Sequence, residues 1–579
     1  MTVWKSTRSG ATATLTEALF QGPAADGGLY IPATLPALDA RAVVRNSRSF
    51  QDTALAAARG LIGDEVPTAT LEEIVAEALN FPVPLVAIGD DLHVLELFHG
   101  PTAAFKDVGA RFMAALMDRL DPEPDRTRVV LVATSGDTGG AVAAAFAGRP
   151  RFKVIVLFPE GGVSEEQRRL FTTLGGNVTS VELTGDFDDC QALVKQAFRS
   201  PDAGRLGLTA ANSINVGRLI PQTFYYMDAI RQGGWSDGAA FAIPSGNLGN
   251  LTAGMMAAMA GLPIRKLISA LNSNDTFLRH LATGAAEPRP TKRTISSAMD
   301  VSVPSNLERL DALAGDLGRL RELVWARAFD DDATRACMKR MRAERGYLLD
   351  PHTAVAVLGA EAYRRKRGDT GPTVVLSTAH PAKLPDVVEE AVGERPVPPP
   401  GLAATMDKEE RIVRVDATLA ALLDLIEEAA GGRVVAGCRR GPGRRSRPRC
   451  GCRAPRRTWE PASTASGSRW TATWTPRSRP AATRWSWSAR TASRPGTTSW
   501  RSRSSVRSLR AGSRPMASCA CVPRSRWGAG SARRPPRWWR GPHWGSRPRA
   551  SRWTRPPRSA PPRRRRATAT TRAPPRTAG

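Results

Sequence analysis

The chain has 579 residues and a formal net charge of +29, long enough for several domains and a sizeable core. From residue 437 onward there are 37 Arg, no Lys and one acidic residue, Glu460, which leaves 46 basic and 53 acidic side chains in residues 1–436. The average charge therefore describes neither part and excludes no function by itself, whereas the lack of any apolar run of about 18 residues argues against a membrane span and for a soluble, cytoplasmic protein.

In chain order, residues 1–80 read as a helix-rich region broken by DGGLYIP at 26–32. FPVPL at 81–85 reads as a linker, because Pro82 and Pro84 both oppose helix. Short apolar strands then alternate with helical patterns: RVVLVAT (128–134), KVIVLF (153–158), FAIP (241–244), KLISAL (266–271) and TVVLST (373–378). This repetition predicts an α/β fold over 81–390, with parallel sheet covered by helices on both faces. Residues 391–433 end in an amphipathic helix, TLAALLDLIEEA, expected to close the domain.

Residues 434–579 differ in kind. From 437 onward they hold 11 of the 14 Trp, a single Leu (Leu509), and no Ile, Phe, Tyr, Asn or Gln. So few aliphatic residues cannot offset the entropy of ordering a chain. The Arg, Pro, Ser, Ala, Thr, Gly and Trp bias is that of GC-rich coding sequence read out of frame. The tail is expected to be disordered and a frameshift product. The alternative is an Arg/Trp tail that binds nucleic acid through phosphates and stacking; the lack of Lys and of any repeat argues against it. Five of the seven Cys lie there, leaving Cys190 and Cys337 in the folded part, which is no disulfide framework and fits a reducing compartment. The six His show no metal-ligand spacing, so no catalytic metal is predicted and single histidines read as structural.

Four segments carry chemistry. Lys106 lies in FHGPTAAFKDVGARFMAALMDRL, where Ala110, Met113, Met117 and Leu120 recur at helical steps. A lysine at a helix N-terminus beside Phe105 is disfavoured as an ammonium, and a neutral amine is what condensation with an aldehyde requires. By position alone an ordinary solvated lysine is the commoner reading. IPSGNLGNLTAGMMAAMAG (243–261) reads as strand, glycine turn and helix, with Gly246 and Gly249 freeing N–H groups for a phosphate; it is neither a dinucleotide fingerprint nor a P-loop, and taken alone a purely structural turn is the commoner reading. VATSGDTGGAVAAAFAG (132–148) repeats the design with Ser135, Asp137 and Thr138, whose hydroxyls suit a carboxylate or merely cap the helix. ANSINVGRL (211–219) offers Ser213, Asn215 and Arg218 to a phosphate, the alternative being a structural arginine. One candidate amine nucleophile and three candidate anion sites suit a phosphorylated cofactor and a substrate with a carboxylate and a second phosphate.

HGPTAAFKD, ATSGDTGGAVA, FTTLGGNV, GDFDDCQALVKQAF, ANSINVGRL, IPSGNLGNLTAG, SSAMDVSVPSN and STAHPAKLP occur in an order that resembles the threonine synthase family, over residues 5–390. DGGLYIP is similar to that family's N-terminal domain. The resemblance implies fold type II, with pyridoxal 5'-phosphate between two α/β lobes, residues 1–80 as the N-terminal domain and 81–390 as the catalytic domain. It implies a pyridoxal-phosphate-dependent lyase converting O-phospho-L-homoserine and water to L-threonine and phosphate. Carried over by motif, Lys106 holds the cofactor covalently and acts as base. Gly246, Asn247, Leu248, Gly249 and Asn250 cradle the cofactor's phosphate, Asp137 approaches its phenolic oxygen, and Thr378 meets its pyridine nitrogen. Ser135 and Thr138 receive the substrate, and Ser213 and Arg218 its phosphate. Ser297 stands where the related pattern has Asn. Two rivals within reach are a fold type II ammonia-lyase or sulfhydrylase, which needs no substrate-phosphate site, and a catalytically dead homologue, against which Lys106 and the intact glycine turn argue. A monomer and a homodimer are both compatible with the sequence.

Overall fold

The computed structural model describes residues 3–34 and 38–431. The expectations for 434–579, the frameshifted tail and its nucleic-acid alternative, lie outside the described residues.

The chain opens with three short strands, β1 (Trp4–Ser6), β2 (Thr12–Ala13) and β3 (Tyr30–Pro32), paired antiparallel in the order β2-β1-β3. A helix-rich reading of residues 1–80 anticipates the four α-helices between Leu15 and Ala78 and omits this sheet. Strands of two or three residues are too short to show a period. Trp4, Leu15, Leu61 and Ile74 sit in one cluster with Phe112, Phe241 and Leu376, so the first 80 residues bury their apolar side in a core shared with the α/β region.

Strands β4 (Leu85–Gly89) and β5 (Leu92–Glu96) follow, then β6 (Arg128–Ala133), β7 (Phe152–Pro159), β8 (Val178–Leu183), β9 (Leu208–Ala210), β10 (Ala239–Pro244), β11 (Ile264–Leu271), β12 (Val324–Ala328), β13 (Thr373–Ser377) and β14 (Ile412–Val415). The proposed linker at 81–85 thus ends inside a strand. One sheet runs β12-β11-β10-β13-β5-β4, parallel except for the antiparallel edge strand β4, and the other runs β14-β8-β7-β6-β9, parallel throughout.

The continuous apolar runs picked out in the sequence are central strands: every residue of β6, β10 and β13 is buried, as expected when helices cover both faces of a parallel sheet. Side chains alternate across each sheet. On β10, Phe241 and Ile243 enter the core shared with the N-terminal residues, while Ala240 and Ala242 meet Ala354, Val355 and Met338 on the far side. On β6, Val130 and Val132 face Phe146 and Phe158, and Val129 and Leu131 face Leu193 and Ile426. The closing helix Leu419–Ala429, capped by Thr418, buries Leu422 and Ile426 on that last face, worth about 1.5–3 kcal/mol for each side chain. No helix among the described residues is long and apolar enough to cross a membrane.

Cys190 and Cys337 are buried free thiols, and desolvation pushes both up to about 12. Peptides bearing them are expected to resist iodoacetamide at mildly alkaline pH in the native chain and to alkylate after unfolding. Equal modification of native and unfolded chain would contradict the packing.

Candidate active site

The loop before Lys106 is held by its neighbours rather than by regular structure. Ala103 is forced to φ 53, a left-handed conformation that costs a non-glycine residue about 1 kcal/mol or more. Ala103 O accepts from His380 N (3.1 Å), Phe105 N donates to Thr378 O (2.9 Å), and Ala104 bridges Ala379. The loop is thereby stitched to the segment leaving β13. Thr102 N and Oγ1 donate to the buried Asp107 carboxylate at 2.8 and 2.6 Å, and burial raises the pKa of that acid.

Lys106 is the first residue of the helix Lys106–Leu120. Its Nζ lies 3.2 Å from Asp137 Oδ2 and 5.0 Å from the centroid of the Phe105 ring. Desolvation lowers the pKa of this amine; the Asp137 charge opposes that, and Lys383 and Arg218 reinforce it. The solvated-lysine alternative does not describe this side chain.

Asp137 opens the helix Asp137–Phe146, whose N-cap residue, Gly136, has no side chain to cap it. The capping alternative for Ser135 and Thr138 is therefore not what the structure shows. Thr134 takes the role, its Oγ1 accepting from Gly136 N (2.9 Å) and Gly139 N (2.8 Å). Gly136 adopts φ 133, and a Cβ there would meet Gln167 Oε1 at 2.5 Å, so the turn requires glycine. Gln167 Nε2 donates to Asp137 Oδ1 at 2.8 Å. Lys383 Nζ reaches the same oxygen at 2.7 Å. Burial alone would raise the Asp137 pKa; the two lysines reverse this and hold it well below the usual carboxylate range.

The glycine turn follows β10. A Cβ on Gly246 would sit 2.9 Å from Met299 Cα, so backbone passes where a side chain would stand. Leu248 is left-handed at φ 61, and Gly249 begins the helix Gly249–Met259, whose first N–H groups have no partner within the helix. Asn247 Oδ1 accepts from Ser305 N (3.3 Å) and Oγ (3.2 Å), and its carbonyl accepts from Asn306 Nδ2 (3.0 Å). Asn250 Oδ1 accepts from the hydroxyls of Tyr225 (2.8 Å) and Tyr226 (2.7 Å), leaving its buried Nδ2 without a partner among the described residues.

Beside the turn, Arg218 is buried. Its Nη1 donates to Ala211 O at 2.6 Å, while its buried Nε has no partner among the described residues; desolvation lowers its pKa to about 10. The expectation for Asn215 is corrected. Its Nδ2 donates to Leu19 O and Ala210 O and its Oδ1 accepts from Gly217 N, so the amide is spent on holding the loop and does not line the cavity.

These elements enclose one cavity of about 1030 Å³ at the carboxyl ends of β6 and β10, where ligands bind in open α/β sheets. Lys106, Ser135, Asp137, Thr138, Ser213, Arg218, Gly246 to Asn250 and Thr378 all line it. Sequence reading missed Lys383, Gln167, Asn306 and Arg309, which touch these residues; Lys383 and Asn306 lie inside STAHPAKLP and SSAMDVSVPSN, yet nothing in those motifs assigns them a role. His352, read as merely structural, is on the cavity wall; its Nδ1 pairs with Asp350 Oδ2 (2.6 Å) and its Nε2 accepts from Ala298 N (3.2 Å).

Residues 82–379 match the family model of pyridoxal-phosphate dependent enzymes, residues 3–79 that of the threonine synthase N terminus, and residues 353–426 that of the threonine synthase C-terminal region. The chain is 43% identical over 399 residues to threonine synthase of Escherichia coli (strain K12), covering 68% of this chain and 91% of that one. The crystal structure of pyridoxal-phosphate-bound threonine synthase from Brucella melitensis superposes with a TM-score of 0.70 at 37% identity, over 74% of this chain and 100% of that one. Threonine synthase from yeast gives a TM-score of 0.68 at 33% identity, over 74% and 99%.

Proposed function

The chain belongs to the threonine synthase family, with the fold type II architecture of pyridoxal-phosphate-dependent enzymes, and from that premise we propose that its cavity converts O-phospho-L-homoserine and water to L-threonine and phosphate through the residues below. The observation that carries the reading is the meeting, in one cavity, of a largely desolvated amine whose charge is disfavoured, a glycine turn at a helix start and a buried arginine whose Nε has no partner among the described residues.

The residues fit the cofactor. Gly246 leaves room for a group that a Cβ would exclude, and the free N–H groups from Gly246 to Asn250 suit a phosphate. The orphaned Nδ2 of Asn250 and Nε of Arg218 are donors awaiting acceptors. In this proposal Lys106 is the attachment point, Asp137 faces the phenolic oxygen and Thr378 the pyridine nitrogen. Bound pyridoxal phosphate supplies an electron sink that makes the substrate's Cα–H and Cβ–H acidic.

The rest is the work of the chain. Ser135 and Thr138, their hydroxyls not engaged in capping, receive the substrate carboxylate. Ser213 and Arg218 hold its phosphate through charge-assisted bonds, fixing the Cγ–O bond that breaks. Lys106 Nζ takes the Cα proton as general base; loss of a Cβ proton then lets phosphate leave Cγ, the two protons removed return to Cγ and Cα, and water adds its OH at Cβ while its remaining proton goes to the released phosphate. A cytoplasmic setting is part of the proposal, supported by the two buried free thiols.

The test is a pair of assays on the holoenzyme. Phosphate release from O-phosphohomoserine, matched by threonine, is expected to exceed ammonia release from threonine by orders of magnitude. The reverse ranking would assign an ammonia-lyase and remove the reason for a substrate-phosphate site at Arg218.

A further inference from the structure

Two lysines share one buried carboxylate, and the mechanism uses only one of them. Lys383, 1% exposed, lies in the 3-10 turn Pro381–Lys383. Its Nζ is 2.7 Å from Asp137 Oδ1 and donates to Thr102 O at 2.8 Å. Its own carbonyl accepts from Ser164 Oγ at 3.1 Å, and Ser164 caps the helix Glu165–Thr172 that also delivers Gln167 to Asp137. Lys383 is therefore fixed at both ends. Among the described residues Lys106 has a single acceptor, Asp137 Oδ2, at the longer distance of 3.2 Å.

With both ammonium groups charged, the buried Asp137 carboxylate would be outnumbered, with Arg218 adding a third cation nearby. The other facing groups do not rebalance this. Asp107 is engaged by Thr102, and His352 is engaged by Asp350 and by the Ala298 N–H. A buried unpaired charge is shed as a proton where its partners are fewest. Lys383, with two short bonds, is the better satisfied of the two, and Lys106, with one longer bond, is the one whose charged form burial disfavours.

We propose that Lys383 is a positioning residue for the reaction: it serves as the standing counter-ion of Asp137, so that the carboxylate does not hold Lys106 as an ammonium and the Lys106 amine is neutral. This rests on Lys106 being the reactive amine. Lys383 makes no hydrogen bond to that amine among the described residues; it acts by occupying Asp137 and by the repulsion of its own charge. Removing its charge leaves Asp137 with Lys106 as its one ammonium partner, which raises the affinity of Lys106 for a proton.

The experiment reads the proton rather than turnover. The full-length chain, stripped of cofactor with hydroxylamine, is trace-labelled with acetic anhydride across a pH series, and the Lys106 peptide is quantified by mass spectrometry against exposed Lys366. Lys106 is expected to label with a midpoint below that of Lys366. In Lys383→Met the Lys106 midpoint should move upward, slowing its labelling about tenfold at a fixed pH below that midpoint. Lys383→Arg should restore the wild-type midpoint, and the double variant Lys383→Met with Asp137→Asn should remove the upward shift. Lys383→Gln keeps a donor for Thr102 O without the charge and decides the matter if the Met variant does not fold. An unchanged Lys106 midpoint in a folded charge-removing variant overturns the proposal and leaves the threonine synthase assignment standing, because that assignment is tested by phosphate release from the wild-type holoenzyme.

Discussion

Lys106→Ala is expected to lower threonine formation by about 10⁴-fold or more, because it removes both the covalent attachment of the cofactor and the general base. The variant should lose the absorbance band of covalently held pyridoxal phosphate while keeping its fold. Stability is expected to survive for a specific reason: Asp137 retains Lys383 at 2.7 Å and Gln167 at 2.8 Å, so no uncompensated buried carboxylate is created. The cofactor's phosphate cradle from Gly246 to Asn250 is also untouched, so reversible, non-covalent uptake should persist. Phosphate release, threonine formation and the visible spectrum measured on one preparation check all three statements. Retained threonine formation by the alanine variant would remove Lys106 from the mechanism.

The parts of this molecule that were legible in the sequence are those whose physics is local. A continuous apolar run such as Arg128–Ala133 announces a strand buried on both faces, and the small residues after it announce a close-packed helix. The glycine turn at 246–249 is legible because only glycine admits the passage beside Met299. The residues that escaped are those whose role arises from contacts far apart in the chain. Lys383 bonds to Thr102 across 281 residues, and nothing in HPAKLP marks that lysine as a counter-ion. Arg309 sits on the helix Leu307–Ala314, where one more arginine carries no signal. Asn215 was misread for the opposite reason. A side-chain amide serves equally as ligand donor or loop brace, and only the carbonyls of Leu19 and Ala210 decide between them.

Arg309 is the second place where a single change should have a large effect. The side chain is fully buried, and burial pushes its pKa down to about 9, yet its hydrogen bonds run to neutral oxygens. Nε donates to Tyr30 O (3.1 Å), Nη1 to Ser213 O (2.9 Å) and Asn306 Oδ1 (2.7 Å), and Nη2 to Ile214 O (2.5 Å). One guanidinium thus ties the N-terminal strand β3 to the Ser213 loop and orients the Asn306 amide, whose Nδ2 in turn reaches Asn247 O and Ser213 Oγ. Arg309→Met keeps the bulk and removes every donor. It relieves the cost of burying the charge but strands four acceptors, each worth about 1–3 kcal/mol when left unpaired, so a net destabilisation of about 2–4 kcal/mol is expected. The functional loss should exceed what stability explains. With Ser213 and the Asn247 carbonyl both released, KM for the phosphorylated substrate and the cofactor's dissociation constant should rise together at temperatures where the variant is folded. Guanidinium unfolding, substrate titration and cofactor titration separate these effects. A variant with a lowered unfolding midpoint but unchanged KM and cofactor affinity would make Arg309 a brace for the N-terminal sheet alone, with no part in shaping the phosphate sites.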